Sequence, residues 1–407
     1  MPIHPRLSDH LERTANTARW IALASLVAVL AGSASAWFLI ALDWVGQTRT
    51  THPQLVLGLP LAGLVVGWVY LRFGQQVEAG NNLLIDEIHD PKKTIPLRMA
   101  PLVLGGTLIS HLFGASVGRE GTAVQMGGAL ADQLTHLFRL KPEDRRILLM
   151  SGVSAGFASV FGTPVAGAIW GLEVLTTGKL KYDALLPCTV AAVVAHEVCL
   201  LWGVEHTHYV VASIPAISLW GLCAVALAGA AFGLGGKLFA ETTHALAGFM
   251  KQRVAYAPLR PFLGGCLLAA LFWSFPLDRY QGLGIPVILE SFEHPLAITD
   301  FIGKLSLTVL SLGSGFKGGE VTPLFFLGAT LGNALAPLLH MPFALMAGVG
   351  FVALFAGASN TPIACTIMAM ELFGSGMGVY AGLACVMSYL FSGHSSIYKA
   401  QRRGLPK

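Results

Sequence analysis

Glu120 is the side chain whose type and setting point most directly to chemistry. It stands in Gly118-Arg119-Glu120-Gly121-Thr122, between two long apolar runs. An ionisable group in such sequence is costly to bury, and is read first as a functional site. As a carboxylate, Glu120 can occupy an anion's seat on helix termini. Once protonated it is neutral, and it can leave that seat or donate a hydrogen bond. Anion binding and proton binding are thus linked at one side chain, the minimal device for antiport. The plain alternative is a structural carboxylate paired with Arg119. A counterpart occurs 200 residues later, in Gly318-Gly319-Glu320-Val321-Thr322. There Glu320 is a second candidate for coupling proton and anion, and its alternative is an ion pair with Lys317 or Lys304. Thr322 offers a hydroxyl or its backbone N–H to an anion.

Glycine, hydroxyl and proline punctuation would position these groups. Gly162-Thr163-Pro164 precedes an apolar stretch holding Ile169 and Glu173, and Asn360-Thr361-Pro362 precedes one holding Ile367 and Glu371. Thr, Pro, Ile and Glu recur at an offset of 198; Glu120/Glu320 and Gly128-Ala129/Gly328-Ala329 recur at 200. Two polar-containing phrases in one order at nearly one offset read as an internal duplication, a transporter signature. Thr163-Pro164, Thr322-Pro323 and Thr361-Pro362 each place a capping hydroxyl before a proline at the first helical position. A helix start presents unpaired N–H groups and a positive dipole end. Several aimed at the bilayer midplane would hold an anion without a full positive charge, whereas a single Thr-Pro merely starts an ordinary helix.

Only 12% of the residues are charged and 54% are hydrophobic, against about 25% charged in soluble domains. With a mean hydropathy of +0.65, the chain reads as an all-α polytopic membrane protein. Residues 20–42, 147–172, 210–236 and 321–370 each exceed the length needed to cross a bilayer without a charged residue. Runs such as 55–71 and 305–316 are short, which predicts broken or re-entrant helices shielded by protein. No cleavable leader is evident. Arg6, Arg13 and Arg19 at the start and Lys399, Arg402, Arg403 and Lys407 at the end place both termini in the cytosol. Lys92 and Lys93, Arg139 to Arg146, and Lys251 with Arg253 mark further cytosolic loops. The net charge of +4 is therefore topology rather than nucleic-acid binding. The six cysteines form no CxxC pair, so neither metal, disulfide framework nor cofactor is expected.

These residues resemble the CLC family of chloride channels and anion/proton antiporters. Gly118 to Thr122 is similar to the family's GREGP motif, with Thr122 in place of proline. Gly318 to Pro323, reading GGEVTP, is similar to GGIFAP, and Tyr398 in Ser395-Ser396-Ile397-Tyr398 resembles the late inner-gate tyrosine. The resemblance spans roughly residues 20–398. It implies two inverted-topology repeats and a homodimer with an anion pathway in each subunit. It divides the chain into a cytosolic tail (1–19), a first membrane repeat (20–205), a second (206–398) and a cytosolic tail (399–407), in the plasma membrane.

The departures resemble the branch that exports fluoride. Where the family's first anion motif has its serine, Gly80-Asn81-Asn82 stands; the aromatic of GGIFAP is Val321, beside Glu320. The stretch 78–96 also looks like that branch. Fluoride is small, strongly hydrated and a strong hydrogen-bond acceptor, so its dehydration must be offset by dense donors. An Asn amide brings two N–H donors where Ser brings one O–H; apart from the resemblance, Asn81 is equally a cap or turn residue. The anion-binding candidates are Gly80, Asn81, Gly118, Arg119, Gly121, Val321, Thr322 and Tyr398. Without the resemblance, Tyr398 would read as an interfacial anchor. Glu173 lies where proton-coupled members show paired acidic residues, but Val174 follows it. Because Glu371 repeats Glu173, a structural helix-end role is favoured for both.

The reading is a proton-coupled fluoride exporter with Glu120 as protonatable gate. The alternatives are a chloride/proton antiporter or a passive anion channel of the same family. The chain ends nine residues after Tyr398, which leaves no room for the nucleotide-binding domains of many eukaryotic relatives and suggests a small prokaryotic form. Two enzyme-like strings are weaker. Gly152-Val153-Ser154-Ala155-Gly156 fits G-x-S-x-G but lies inside an apolar run, where such spacing lets membrane helices approach. It leaves an intramembrane hydrolase as the remote alternative. His196-Glu197 opens like a zincin motif, but Leu200 replaces the second His. His206 and His208 lie in a polar loop.

Overall fold

The computed structural model describes residues 5–404. Residues 1–4 and 405–407, with Lys407 of the basic tail, lie outside the described residues, as does the Arg6 side chain. Among the described residues there are sixteen α-helices and no β-strand. The first half holds α1 (Pro5–Thr51), α2 (Leu59–Phe73), α3 (Asn81–His89), α4 (Met99–Leu112), α5 (Glu120–Leu137), α6 (Pro142–Phe161), α7 (Pro164–Glu173) and α8 (Leu185–Leu201). The second holds α9 (Leu219–Arg253), α10 (Leu259–Ser274), α11 (Ile285–Glu293), α12 (Ile298–Ser314), α13 (Val321–Leu335), α14 (Phe343–Ser359), α15 (Pro362–Phe373) and α16 (Gly378–Phe391).

Four helical segments are long and apolar enough to cross a membrane: Glu12–Thr51, Pro53–Phe73, Tyr182–Leu201 and Leu219–Arg253. Others are short. The 15 residues of α13 rise about 22 Å, less than the hydrocarbon thickness of about 30 Å. The broken-helix expectation holds, and two of the apolar runs must be corrected accordingly. Residues 147–172 are not one span. Gly162 turns left-handed (φ 80°) and ends α6, and Thr163-Pro164 restarts the chain as α7. Residues 210–236 enter as loop, and α9 begins at Leu219, with the Ser218 hydroxyl accepting from the Gly221 N–H at 3.0 Å.

The duplicated sequence becomes duplicated packing. In the first half α5 and α6 touch backbone to backbone: a Cβ on Gly127 would fall on the Gly152 carbonyl, and one on Gly156 on the Ala123 carbonyl. In the second half α13 and α14 do the same, through Gly328 on Gly350 and Gly332 on Met346. Gly152 and Gly156 flank Ser154, so the G-x-S-x-G string is a helix-contact stripe with Ser154 fully buried. A phenylalanine stack joins the halves: Phe325 lies on Phe351 (4.2 Å, 3°) and near Phe161 (4.7 Å), while Phe157 faces Phe355.

Helices start at Pro164 and Pro362 as expected, but the capping role given to the threonine hydroxyls needs correction. Thr163 and Thr361 precede α7 and α15, but neither hydroxyl caps its helix. Carboxylates from the opposite half do so instead. Glu371, near the end of α15, accepts from the Val165 and Ala166 N–H groups at 2.9 and 2.8 Å. Glu173, at the end of α7, accepts from Ile363 and Ala364 at 3.1 and 2.8 Å. Two antiparallel helices thus cap one another, and a charged acceptor on two N–H groups outcompetes a neutral hydroxyl. The helix-end geometry favoured for Glu173 and Glu371 is present, and these two N-termini are already occupied.

The first half carries a buried polar pin. Arg145 of α6 holds both Asp132 oxygens of α5 at 2.6 and 3.0 Å, Glu87 of α3 at 3.1 Å and the Lys93 carbonyl at 2.7 Å. Asp132 also accepts from the Ile95 N–H, and Glu87 from those of Lys92 and Lys93. This pin sets where α3 lies against α5. Arg145→Met would leave two buried carboxylates unpaired and is expected to destabilise the protein by about 3–5 kcal/mol, read as a drop in thermal midpoint in detergent. A midpoint equal to the parent's would remove the pin's role.

Candidate functional site

The two repeated phrases meet each other. Gly118 and Gly319 form an antiparallel bridge, with Gly118 N–H donating to Gly319 O at 2.6 Å and Gly319 N–H to Gly118 O at 2.7 Å. Only side chains of zero size allow this. A Cβ on Gly118 would stand 2.8 Å from Pro323 Cδ, and one on Gly318 would stand 2.5 Å from Val117. The bridge fixes α5 and α13 start to start.

Glu120 opens α5 and is fully buried. Its carboxylate reaches across to the first turn of α13. The Thr322 N–H donates to Oε2 at 3.0 Å, and the Thr322 hydroxyl donates to Oε2 at 2.6 Å and lies 2.7 Å from Oε1. The Arg119 N–H adds a longer bond at 3.3 Å. The α13 terminus therefore holds a carboxylate where the positive end of its dipole favours an anion. Thr322 is not the cap residue expected from Thr322-Pro323. The helix begins at Val321, with Glu320 at the cap position, so both Thr322 donors point outward from the first turn. Val321 itself is buried apolar wall, 1% exposed.

The α5 terminus faces the same space. A Cβ on Gly319 would lie 2.9 Å from the Gly121 nitrogen and 3.2 Å from those of Arg119 and Glu120. A Cβ on Gly121 would stand 3.1 Å from Asn81 Nδ2. Asn81 starts α3, and its amide nitrogen thus lies over the first turn of α5. Its Oδ1 is buried without a hydrogen-bond partner. Gly80 ahead of it is left-handed (φ 59°), a conformation open to glycine, and packs against Gln125. Tyr398 is drawn to this end by the carboxy-terminal segment: Ile397 N–H bonds Ala358 O, and Ala400 N–H bonds Asn82 Oδ1 at 2.9 Å. Its ring is 2% exposed and edge-on to Trp170 at 6.1 Å, so the interfacial-anchor alternative does not hold.

Glu320 makes none of the ion pairs expected of it. Lys304 is fully buried and donates to the carbonyls of Tyr280 and Gly282 at 3.0 and 2.7 Å. The Lys317 ammonium lies over the Tyr70 ring at 4.0 Å. The ion pair with Arg119 offered as the plain alternative for Glu120 is present, Nε to Oε1 at 3.5 Å without a hydrogen bond, beside the shorter contacts to Thr322. Arg119 also borders a cavity of about 990 Å³ whose walls include Arg49, His111, Glu205, His206 and Gln281. No group of three or more metal-ligating side chains occurs among the described residues. His196 and His206 stack on each other at 5.5 Å.

Sequence reasoning missed three polar neighbours. The Thr107 hydroxyl bonds that of Thr122 at 2.7 Å, His111 Nε2 approaches Gly118 O at 3.4 Å, and Gln125 backs Gly80. Each is a lone polar residue in an apolar run, a signal too common to select them without contacts. Gly319→Ala is expected to push a methyl into the space before the α5 terminus and weaken anion binding about tenfold or more, a loss of at least about 1.4 kcal/mol. Calorimetric anion titration reads this, and undiminished affinity would exclude that terminus as an anion contact.

The family described as voltage gated chloride channel matches residues 62–393. A relative named chloride/fluoride channel protein, from Pseudomonas syringae pv. tomato, is 60% identical over 99% of this chain and 90% of its own length. The H(+)/Cl(-) exchange transporter ClcA of Vibrio vulnificus is 29% identical over 86% of this chain and 81% of its own. Among solved structures, a CLC-type fluoride/proton antiporter superposes with a TM-score of 0.92 at 35% identity, covering 95% of this chain and 98% of that one. A slow cyanobacterial Cl-/H+ antiporter shares the fold, with a TM-score of 0.82 at 22% identity over 93% and 96%. With its paired glycine phrases, crossed helix starts and this match over most of its length, the chain belongs to the CLC family of membrane anion-transport proteins.

Proposed function

We propose that this chain is a proton-coupled fluoride exporter in which Glu120 is the protonatable gate. The observation that carries the reading is the Glu120 carboxylate on the α13 terminus, held by the Thr322 N–H and hydroxyl. An anion arriving at that seat competes for the same two donors. Protonation removes the charge that holds Glu120 there, so the side chain yields the seat as it takes up a proton. Fluoride uses such donors well, and the Asn81 amide beside Gly121 adds further N–H capacity. In this reading Glu320, at the cap position of α13, handles the proton that Glu120 exchanges. Tyr398 closes the opposite side by bulk.

Support for fluoride comes from the solved fluoride/proton antiporter and from the relative whose name includes fluoride. Physics supplies the direction of use. Outside a cell in acid, fluoride protonates, crosses the bilayer as neutral HF and dissociates within; proton-driven export relieves the accumulation. The proposal includes a homodimer in the plasma membrane, with both termini cytosolic. Exposed apolar side chains on α8 and α16, such as Val193, Val379 and Val386, suit lipid or a second copy.

Proteoliposome efflux of fluoride and of chloride, followed with ion electrodes and a simultaneous pH trace, tests the reading. Fluoride flux well above chloride flux, with opposing proton movement, is expected. Equal rates would overturn fluoride selectivity, and fluoride flux without proton movement would make the protein a channel. Glu120→Gln is expected to abolish the proton trace, and coupled exchange at the parental ratio would remove Glu120 from the mechanism. Glu173→Gln should lower the thermal midpoint through its lost helix-end bonds while leaving the proton-to-fluoride ratio unchanged; a changed ratio would give Glu173 a part in proton transfer.

A further inference from the structure

Lys317 is an ammonium that the gate does not use. Its stem packs on Gly106, and its Nζ lies 4.0 Å above the Tyr70 ring. It borders a cavity of about 500 Å³ walled by α2, α9, α10 and α12, within the span of about 300–1,000 Å³ usual for small-molecule sites. Lys251 and Arg260 line the same cavity, and Glu78 is the one carboxylate there. Among the described residues none of these charged groups makes an ion pair. Arg260 donates from Nε to the Val254 carbonyl at 2.9 Å and from Nη2 to that of Ala255 at 3.4 Å, which leaves Nη1 without a hydrogen bond among the described residues.

Three cations against one carboxylate leave this cavity with a surplus of positive charge, and charge drawn out of water without a counter-ion is costly. The cavity is therefore suited to an anion. Its lining includes neither Glu120, Thr322 nor Asn81, so that anion is not the one at the gate. The setting says which kind fits. The cavity lies at the end of the bundle carrying Lys251 and Arg253 in the last turn of α9, the end that the positive-inside rule assigns to the cytosolic leaflet. The helices around it turn apolar side chains outward: Trp68 and Phe73 on α2, Phe249 on α9 and Leu263 on α10 are exposed, as is Tyr256 just before α10. The lining itself is mixed, with Leu71, Pro261 and Leu312 beside the cations. A small hydrated halide gains nothing from that apolar surface, whereas a phosphate carried on an amphiphile matches both parts.

We propose that this cavity docks the headgroup of an anionic phospholipid from the cytosolic leaflet, with its phosphate held by Lys251, Arg260 and Lys317 and its acyl chains passing to the apolar outer faces of α2 and α10. The proposal is independent of the reading of Glu120 as a gate. Basic pockets between membrane helices at the cytosolic side recognise such headgroups. The Tyr70 ring holds the Lys317 ammonium in place without neutralising it, as a carboxylate would, so the charge stays available to the phosphate. A headgroup seated there ties α2 and α10 to the end of α12, and binding to the folded state alone stabilises it by mass action.

The test uses the full-length protein in neutral detergent micelles containing phosphatidylcholine, and reads the thermal midpoint as phosphatidylglycerol is titrated in. Phosphatidylglycerol is expected to raise the wild-type midpoint saturably, and further phosphatidylcholine to leave it flat. Lys251→Gln and Lys317→Met should each raise the half-saturating mole fraction about fivefold, the scale of one cation against an anionic lipid, while Lys317→Arg titrates like the wild type. Lys179→Gln removes an exposed cation outside the cavity and should leave the titration unchanged. A wild-type midpoint indifferent to phosphatidylglycerol overturns the site, and so do Lys251→Gln and Lys317→Met variants that titrate like the parent. Equal weakening by Lys179→Gln reduces the effect to general surface charge and overturns it as well. Inorganic phosphate and glycerol phosphate separate the two sources of a phosphate group: a midpoint raised by either as much as by the lipid makes the occupant a soluble anion, and the lipid assignment falls. Lys251 is exposed, so its variant still reads the site if Lys317→Met fails to fold.

Discussion

The bridge between Gly118 and Gly319 is the contact on which the site depends. Two backbone hydrogen bonds hold the starts of α5 and α13 so close that no side chain fits between them. Everything else about the site is a consequence. Glu120, one residue past Arg119, can only reach the opposing helix because that helix starts beside its own. Thr322, in the first turn of α13, can only donate to it from both backbone and hydroxyl because the helix begins at Val321 rather than after a threonine cap. Glycine carries this geometry because it is the residue that brings backbone to backbone at membrane depth without a steric cost.

The same logic explains why irregular backbone is tolerated here. A helix that stops inside a bilayer leaves N–H groups that water cannot satisfy. This protein satisfies them in two ways. At α7 and α15 it uses fixed carboxylates, each half capping the other through Glu371 and Glu173. At α13 it uses Glu120, a carboxylate whose charge can be switched by a proton. The two solutions are chemically alike, and what differs is the setting. Glu173 and Glu371 end helices packed against their partners. Glu120 stands at a helix start bordered by the Asn81 amide and, beyond Arg119, by a large cavity.

Several features were legible in the chain before any coordinates. The scarcity of charge, the length of the apolar runs and the recurrence of Thr, Pro, Ile and Glu at one offset fixed a membrane protein of two related halves. Glu120 stood out because a carboxylate amid glycines is rare in such sequence. Where the reading failed, it failed on partners. It started a helix at Pro164 yet still counted residues 147–172 as one run long enough to cross, because an apolar count does not register the turn at Gly162. It gave Thr163 and Thr361 a capping role because the competing acceptors, Glu371 and Glu173, lie about 200 residues away in sequence. It offered Glu320 the cations Lys304 and Lys317 because they are near in sequence, whereas Lys304 is consumed by two carbonyls and Lys317 by the face of an aromatic ring.

Sequence alone determined the solvent this chain folds in, the duplication that organises it and the presence of a carboxylate among glycines in apolar sequence. Those are properties of composition and spacing, and they survive without knowledge of contacts. Tertiary structure decided what each carboxylate touches. A carboxylate's role depends on which N–H groups face it, and in a protein of two interlocked halves those groups come from the other half. The distinction between Glu120 on the Thr322 donors and Glu173 on the Ile363 and Ala364 N–H groups is made across that interface, where no local pattern of residues records it.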